Sequence, residues 1–226
     1  KLGRAPYYDP TQRGRAAFRQ SVLHDMPDPV RPLPDRAADV GRLRRVTGEV
    51  VHRALQVNLL PGIVDHNELL DRLRAFAWQI GVTDESGENL VVRQARDLLD
   101  RYANSELRRE IDAAVEVFRE VPFVYHRGER TIHGVIDVLY RDKRGKWHVL
   151  DYKTARVSWQ TALESAKQYT LQVGIYARAV EAQTGQAPAA ALYYIHPGRR
   201  VRVSADDWAR AVERLEDDIR AALQDD

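Results

Sequence analysis

Two aspartates and a lysine, on two predicted neighbouring strands, are the residues of this sequence best suited to chemistry. They are Asp137, Asp151 and Lys153. Because side chains alternate across a β-strand, Asp151 and Lys153 share one face, and the side chain of Tyr152 points to the other. A hairpin turn over residues 143–145, with glycine in the left-handed position, places Asp137 directly opposite Asp151. The pattern therefore predicts two adjacent carboxylates with an ammonium group beside them.

Such a pair of carboxylates predicts a site for a divalent cation. Carboxylates about 5 Å apart repel each other, which costs free energy unless a cation lies between them. Hard oxygen ligands of this kind suit Mg²⁺ or Mn²⁺. The alternative is a solvated hairpin face with weak ion pairs. Apolar neighbours on both strands favour a sheltered strand pair instead; they are Val135, Val138, Leu139, Val149 and Leu150.

The elements around these strands predict an α/β fold. Apolar residues at helical spacing predict four helices first, at residues 40–60, 67–80, 88–102 and 106–114. Segments rich in β-branched and aromatic residues then predict three strands, at residues 115–125, 131–140 and 146–153. One long helix, two strands and a closing helix follow, at residues 159–184, 189–195, 200–203 and 204–223. This order predicts a mixed β-sheet flanked by helices.

Composition excludes several classes of protein. The 226 residues, of which 44% are hydrophobic and 30% charged, suit a globular domain with a substantial core. The net charge of +2 indicates no overall excess that would attract a polyanion. The absence of cysteine excludes disulfides and an iron–sulfur cluster, and it favours a reducing, cytoplasmic compartment. No segment approaches the roughly 18 consecutive apolar residues of a membrane span, so no membrane partner is expected.

The N-terminal part of the chain differs from the remainder. Residues 1–45 carry ten Lys or Arg and five Asp, a balance of +5, together with six of the ten prolines. We therefore predict a basic, proline-rich linker or arm over residues 1–39 and a globular domain over residues 40–226. The arm is either a solvated connection or a strap on a phosphate backbone. The start at Lys1 rather than at methionine suggests a piece of a longer protein.

Five short motifs resemble the RecB-family branch of the PD-(D/E)XK nucleases, in the order expected of that family. They are GEVVH at 48–52, EVPF at 120–123, GVID at 134–137, DYKT at 151–154 and QVGIY at 172–176. The resemblance implies a restriction-endonuclease-like fold and a nuclease domain of the type found at the C-terminus of the bacterial helicases RecB and AddA. Related branches with an iron–sulfur cluster need four cysteines, which this sequence lacks.

The resemblance also implies the ligands of the metal. It assigns Asp137 and Asp151 to the divalent ion, Mg²⁺ or Mn²⁺. The imidazole of His52 and the backbone carbonyl of Tyr152 are implied as further ligands. Lys153 is implied either to orient and help deprotonate the attacking water or to neutralise charge at the phosphorus.

Three other residues have two possible roles each. Gln172 and Tyr176 lie one helical turn apart, and the resemblance implies that they position Lys153 or the DNA backbone. The alternative for both is ordinary helix packing. Glu120 is either a ligand or neighbour of the metal or one partner of a local salt bridge.

The expected function is that of a metal-dependent deoxyribonuclease, acting as an exonuclease on single-stranded DNA. Because a phosphodiester is anionic, its hydrolysis needs cations close to the developing charge, and Lys153 supplies one. The sequence has no Walker A motif, so we expect a helicase motor on another domain or subunit of a bacterial repair and recombination assembly. A non-catalytic nucleic-acid-binding scaffold is the alternative, and a restriction-like or RNA-directed enzyme of the superfamily is a third possibility.

Overall fold

The computed structural model describes residues 36–127 and 130–222. The helices in these residues are α1 (Arg36–Gln56), α2 (His66–Gln79), α3 (Glu85–Ala103), α4 (Glu106–Asp112), α5 (Trp159–Ala166), α6 (Thr170–Thr184) and α7 (Ala205–Ala222). The strands are β1 (Glu116–Arg127), β2 (Arg130–Arg141), β3 (Trp147–Lys153), β4 (Ala189–Tyr194) and β5 (Arg199–Val203). Among the described residues, none of the helices combines the length and the apolar character that a membrane crossing requires.

The strands form one mixed sheet in the order β1-β2-β3-β4-β5. Neighbouring strands are antiparallel except β3 and β4, which are parallel and are connected through α5 and α6. In the β2–β3 hairpin, Val138 pairs with Leu150, and Gly145 in the turn has a left-handed φ of 80°. The mixed sheet predicted from the sequence is thus confirmed, and so is the hairpin register from Val138 to Arg141. The ladder ends at Val138 and Leu150, so it does not include the predicted pair of Asp137 and Asp151.

The helices predicted over residues 40–60 and 159–184 differ from those in the structure. Helix α1 ends at Gln56 because Asn58 adopts a φ of 54°, which asparagine tolerates better than most residues. The single helix predicted over 159–184 is wrong, since a 3₁₀ turn at Lys167–Tyr169 interrupts it. The 3₁₀ turn lies between two sets of contacts, since α5 packs on β5 whereas α6 packs on β1, β3 and β4.

The predicted boundary between arm and domain lies after residue 39. Helix α1 begins at Arg36 and therefore crosses this boundary. The remainder of the predicted arm, residues 1–35, lies outside the described residues. The boundary stays a prediction.

The two faces of the sheet are covered by different helices. Leu150 and Tyr152 of β3 are buried against α1 to α4. On the opposite face, Val149 is buried in a cluster with Tyr176 of α6. This division follows from the alternation of side chains along a strand that is buried on both faces. It also leaves the end of β3 between the two layers of helices.

Gly48 allows helix α1 to approach the end of strand β3. A Cβ atom at Gly48 would lie 2.7 Å from Oγ1 of Thr154, which is shorter than van der Waals contact. A side chain at this position must therefore displace either α1 or Thr154. Because His52 lies one helical turn after Gly48, this close approach also determines where His52 stands relative to β3.

We expect Gly48→Ala to lower the free energy of unfolding by about 1–3 kcal/mol, as is usual for overpacked sites. Urea unfolding of the purified protein measures this change. Gly41→Ala in the same helix is the matched control, because no atom lies within 4 Å of the added Cβ. We expect that control to stabilise the protein by up to about 1 kcal/mol, since alanine is the better helix former. Equal effects of the two substitutions would contradict the close approach at Gly48.

Candidate metal centre

Three side chains from three elements converge beside the end of β3. His52 comes from α1, Glu120 from β1 and Asp137 from β2, and one ligand atom of each lies within 4.8 Å of the other two. Nδ1 of His52 is 3.4 Å from Oδ2 of Asp137, and these side chains are only 19% and 11% exposed. An imidazole and two carboxylates form a donor set that suits Mg²⁺ or Mn²⁺. We call these three residues the acidic triad.

A local distortion of the sheet turns two members of the acidic triad toward the third. Glu120 has a φ of 52°, a left-handed conformation that costs about 1–3 kcal/mol in a residue other than glycine. The β1–β2 ladder is continuous on both sides but skips Glu120 and Asp137, which would otherwise face each other. Val138 packs with the N-terminal helices, whereas Ile136 packs in the cluster of Tyr176. The regular alternation of β2 is therefore broken at Asp137.

Asp151 and Lys153 form a buried ion pair next to the triad. Oδ2 of Asp151 lies 2.9 Å from Nζ of Lys153, and Asp151 is 4% exposed. Burial raises the pKa of the Asp151 carboxyl above its ordinary value; Lys153 lowers it, and the charge of Asp137 raises it further. Burial also opposes the charged form of Lys153, but the charge of Asp151 outweighs it, so the pKa of Lys153 lies above its usual value.

Tyr152 connects the two strands through its backbone. Its N–H donates a hydrogen bond of 2.8 Å to Oδ2 of Asp137. Its side chain points away from Asp151 and Lys153, and its hydroxyl lies 2.6 Å from that of Tyr102 in the core. The predicted opposite orientation of Tyr152 is thus confirmed. Its backbone carbonyl as a metal ligand stays a prediction.

Helix α6 supports the lysine from the other side. Nζ of Lys153 donates to Oε1 of Gln172 at 3.3 Å, and Nε2 of Gln172 donates to the hydroxyl of Tyr176 at 2.8 Å. The ring of Tyr176 packs edge-on against Phe123, with ring centroids 5.4 Å apart. These contacts are consistent with the predicted positioning of Lys153 by Gln172, with Tyr176 one step further away.

The ring of Tyr169 covers the lysine. Nζ of Lys153 lies 3.5 Å from the centroid of that ring, which is the geometry of a cation–π interaction. Tyr169 is the last residue of the 3₁₀ turn that separates α5 from α6. The sequence alone gave no signal for Tyr169, because a continuous helix over 159–184 gives no reason to turn this ring toward β3.

The structure groups the predicted residues differently from the sequence pattern. Of the four implied ligands, His52 and Asp137 lie together, and Glu120 joins them. Asp151 is not a member of that group and instead pairs with Lys153. The motif EVPF at 120–123 is the sequence signal for Glu120, although the same motif also allows a local salt bridge. Whether Asp151 binds the metal stays a prediction.

Comparison with known proteins places this arrangement in a family. The model of the PD-(D/E)XK nuclease superfamily matches residues 24–226, so the chain belongs to that superfamily. Among solved structures, a candidate exonuclease from Eubacterium rectale has the same fold, with a TM-score of 0.53 at 13% identity over 79% of this chain and 66% of that chain. The restriction-endonuclease-like fold implied by the five motifs is confirmed.

Sequence relatives are components of larger enzymes. The chain is 29% identical over 170 residues to an ATP-dependent helicase/nuclease subunit of Pelotomaculum thermopropionicum, a match that covers 69% of this chain and 13% of that protein. It is 32% identical over 141 residues to the protein of the same name from Carboxydothermus hydrogenoformans, which covers 52% of this chain and 12% of that protein. The resemblance to helicase-associated nucleases is confirmed, and the matches span about an eighth of these relatives.

We expect the acidic triad to bind Mn²⁺. Loss of an outer-shell partner usually lowers metal affinity about 10–100-fold, so removal of a direct ligand should lower it at least about 10-fold. Isothermal titration of His52→Ala, Asp137→Ala and Glu120→Gln with MnCl₂ measures this loss. His126→Ala, which removes an exposed histidine of β1, is the matched control and should bind as the unmodified protein does.

Titration of Asp151→Asn with MnCl₂ shows whether the metal is bound by the acidic triad alone or by the triad together with Asp151. If Asp151 binds the metal directly, its substitution will weaken Mn²⁺ binding as strongly as that of Asp137. Unchanged Mn²⁺ affinity in all three triad variants would contradict the assignment of this site.

Proposed function

We propose that this chain is a Mg²⁺- or Mn²⁺-dependent deoxyribonuclease domain that acts as an exonuclease on single-stranded DNA. We further propose that it is the nuclease module of a cytoplasmic bacterial helicase–nuclease in DNA repair and recombination. One observation carries this proposal: the acidic triad lies beside a largely buried lysine that forms an ion pair with Asp151. Membership of the nuclease superfamily supports the reaction class, and the names of the relatives support the helicase partner.

The chemistry divides between the metal and the lysine. His52, Glu120 and Asp137 would hold the divalent ion, and Asp151, whose pKa responds to the charges of Asp137 and His52, would be a further ligand. When bound, the ion would act as a Lewis acid on the phosphoryl group. The protein contributes the binding geometry through the break in β2 at Asp137, which aims the carboxylate toward His52.

Lys153 would stabilise charge on the scissile phosphate. Its ammonium group is held by Asp151, Gln172 and the ring of Tyr169. Because these contacts exist before substrate binds, the charge needs little reorganisation during the reaction. Its burial also strengthens the attraction between the ammonium and an anion, since the local dielectric constant is low.

We expect purified protein with Mg²⁺ or Mn²⁺ to degrade end-labelled single-stranded DNA, and to act more slowly on duplex DNA and on RNA. Asp151→Ala and Lys153→Ala should each lower the cleavage rate at least about 100-fold, because each removes a preorganised charge at the site. Lys143→Ala, in the exposed hairpin turn, is the matched control and should cleave at the normal rate.

Two results of this assay would contradict the proposal. Undiminished cleavage by the folded Asp151→Ala and Lys153→Ala proteins would show that the reaction occurs elsewhere. DNA binding without cleavage in the unmodified protein would instead support a non-catalytic scaffold.

Tyr169 should act through Lys153 rather than on the substrate. We expect Tyr169→Leu to lower kcat about 10-fold, since a desolvated cation–π contact is worth up to about 2 kcal/mol. Tyr169→Phe keeps the ring and should retain most of kcat. Steady-state kinetics on single-stranded DNA measures both. A rise in KM with unchanged kcat in Tyr169→Leu would mean that the ring contacts substrate and does not position the lysine.

A further inference from the structure

A second concave surface lies beside the lysine-supporting helix. It is an open groove of about 600 Å³ between α5, the 3₁₀ turn, β5 and α7. Its lining includes the apolar residues Leu163 and Val201 and four cationic side chains. These cations are Lys167, Arg202, Arg210 and Arg214, and we call this surface the basic groove.

The positive charge of the basic groove is largely uncompensated. Asp207 is the acid among the lining residues, and it already pairs with Arg210 at 2.6 Å. Lys167, Arg202 and Arg214 are exposed, and no carboxylate of residues 41–126 or 131–217, whose side chains the structure describes, forms a salt bridge with them. The chain as a whole is close to neutral, so this concentration of charge is local. A groove of this kind is suited to a polyanion.

The basic groove is connected to the metal centre through one turn of chain. Lys167 opens the 3₁₀ turn and lines the groove, whereas Tyr169 closes the same turn and covers Lys153. Two residues of backbone span at most about 7 Å, so the Cα atoms of Lys167 and Tyr169 lie within that distance of each other. A polymer whose bond lies at the metal centre would therefore reach the groove with its adjoining units.

We propose that the basic groove binds the phosphodiester backbone of the strand that is cleaved at the metal centre. This inference rests on the proposed function. Its continuity with Lys153 favours a nucleic-acid strand over an acidic protein segment, which would have no reason to adjoin the site. Contacts to phosphates position a strand without reading its bases, so binding here should be independent of sequence.

Salt-dependent binding tests the groove directly. Fluorescence anisotropy in EDTA would compare an oligothymidylate of about 20 nucleotides with one of about four, on the full chain and on Arg202→Gln/Arg214→Gln. We expect the double variant to bind the longer strand at least about 10-fold more weakly. The slope of log K against log salt should fall by about 1.4, since each phosphate contact to a single strand contributes about 0.7. Binding of the short strand should change little.

The matched control is Arg93→Gln/Arg109→Gln. These exposed arginines lie on α3 and α4, which cover the opposite face of the sheet, and their removal changes the net charge equally. An unchanged salt slope in Arg202→Gln/Arg214→Gln would overturn the inference and leave the groove to another anion. An equal loss of DNA affinity in the control variant would also overturn the inference, because the loss would then depend only on the change in net charge.

The EDTA condition separates this inference from the proposed function. No cleavage takes place without metal, so the binding result does not depend on catalysis. A protein that binds DNA through the basic groove but never cleaves it would contradict the proposed function and support the inference. If the unmodified protein cleaves DNA but the groove variant has an unaltered salt slope, the proposed function is supported and the inference is contradicted.

Discussion

Negative charge gathered beside the end of β3 is the constraint on which this structure depends. Glu120 and Asp137 share a small sheltered volume, and the buried Asp151 is close enough for the charge of Asp137 to raise its pKa. Lys153 compensates one of these charges through a direct ion pair. Sheltered carboxylates repel each other and lose hydration, which costs free energy. Their convergence therefore lowers stability, and a bound cation would offset that cost.

The fold is arranged to hold that charge in place. Gly48 brings α1 against Thr154, and His52 follows one turn later. On the opposite face of the sheet, a Cβ atom at Gly134 would lie only 2.5 Å from the ring of Phe123. That ring packs against Tyr176, which is hydrogen-bonded through Gln172 to Lys153. Gly48 is therefore a site of close approach between a helix and the end of β3, whereas Gly134 leaves room for the ring of its partner on the neighbouring strand. Substitutions there should disturb the site without touching a ligand.

Local rules predicted part of this site and could not have predicted the remainder. Alternation along a strand and the turn at Gly145 correctly gave the hairpin register and the shared face of Asp151 and Lys153. The inclusion of Glu120 depends on a left-handed residue within a strand, which no periodic pattern signals. Tyr169 depends on a break in an apolar helical pattern that looks continuous in sequence. Both features arise from packing between distant elements.

The most direct measurement is anomalous diffraction from a crystal of the chain soaked in Mn²⁺. The account predicts an ion bound by His52 and Asp137, and by Glu120, Asp151 or both. The occupied site would show how the charges beside β3 are balanced. Diffraction that locates Mn²⁺ only at other surfaces, with these side chains carrying no ion at saturating concentration, would contradict the account.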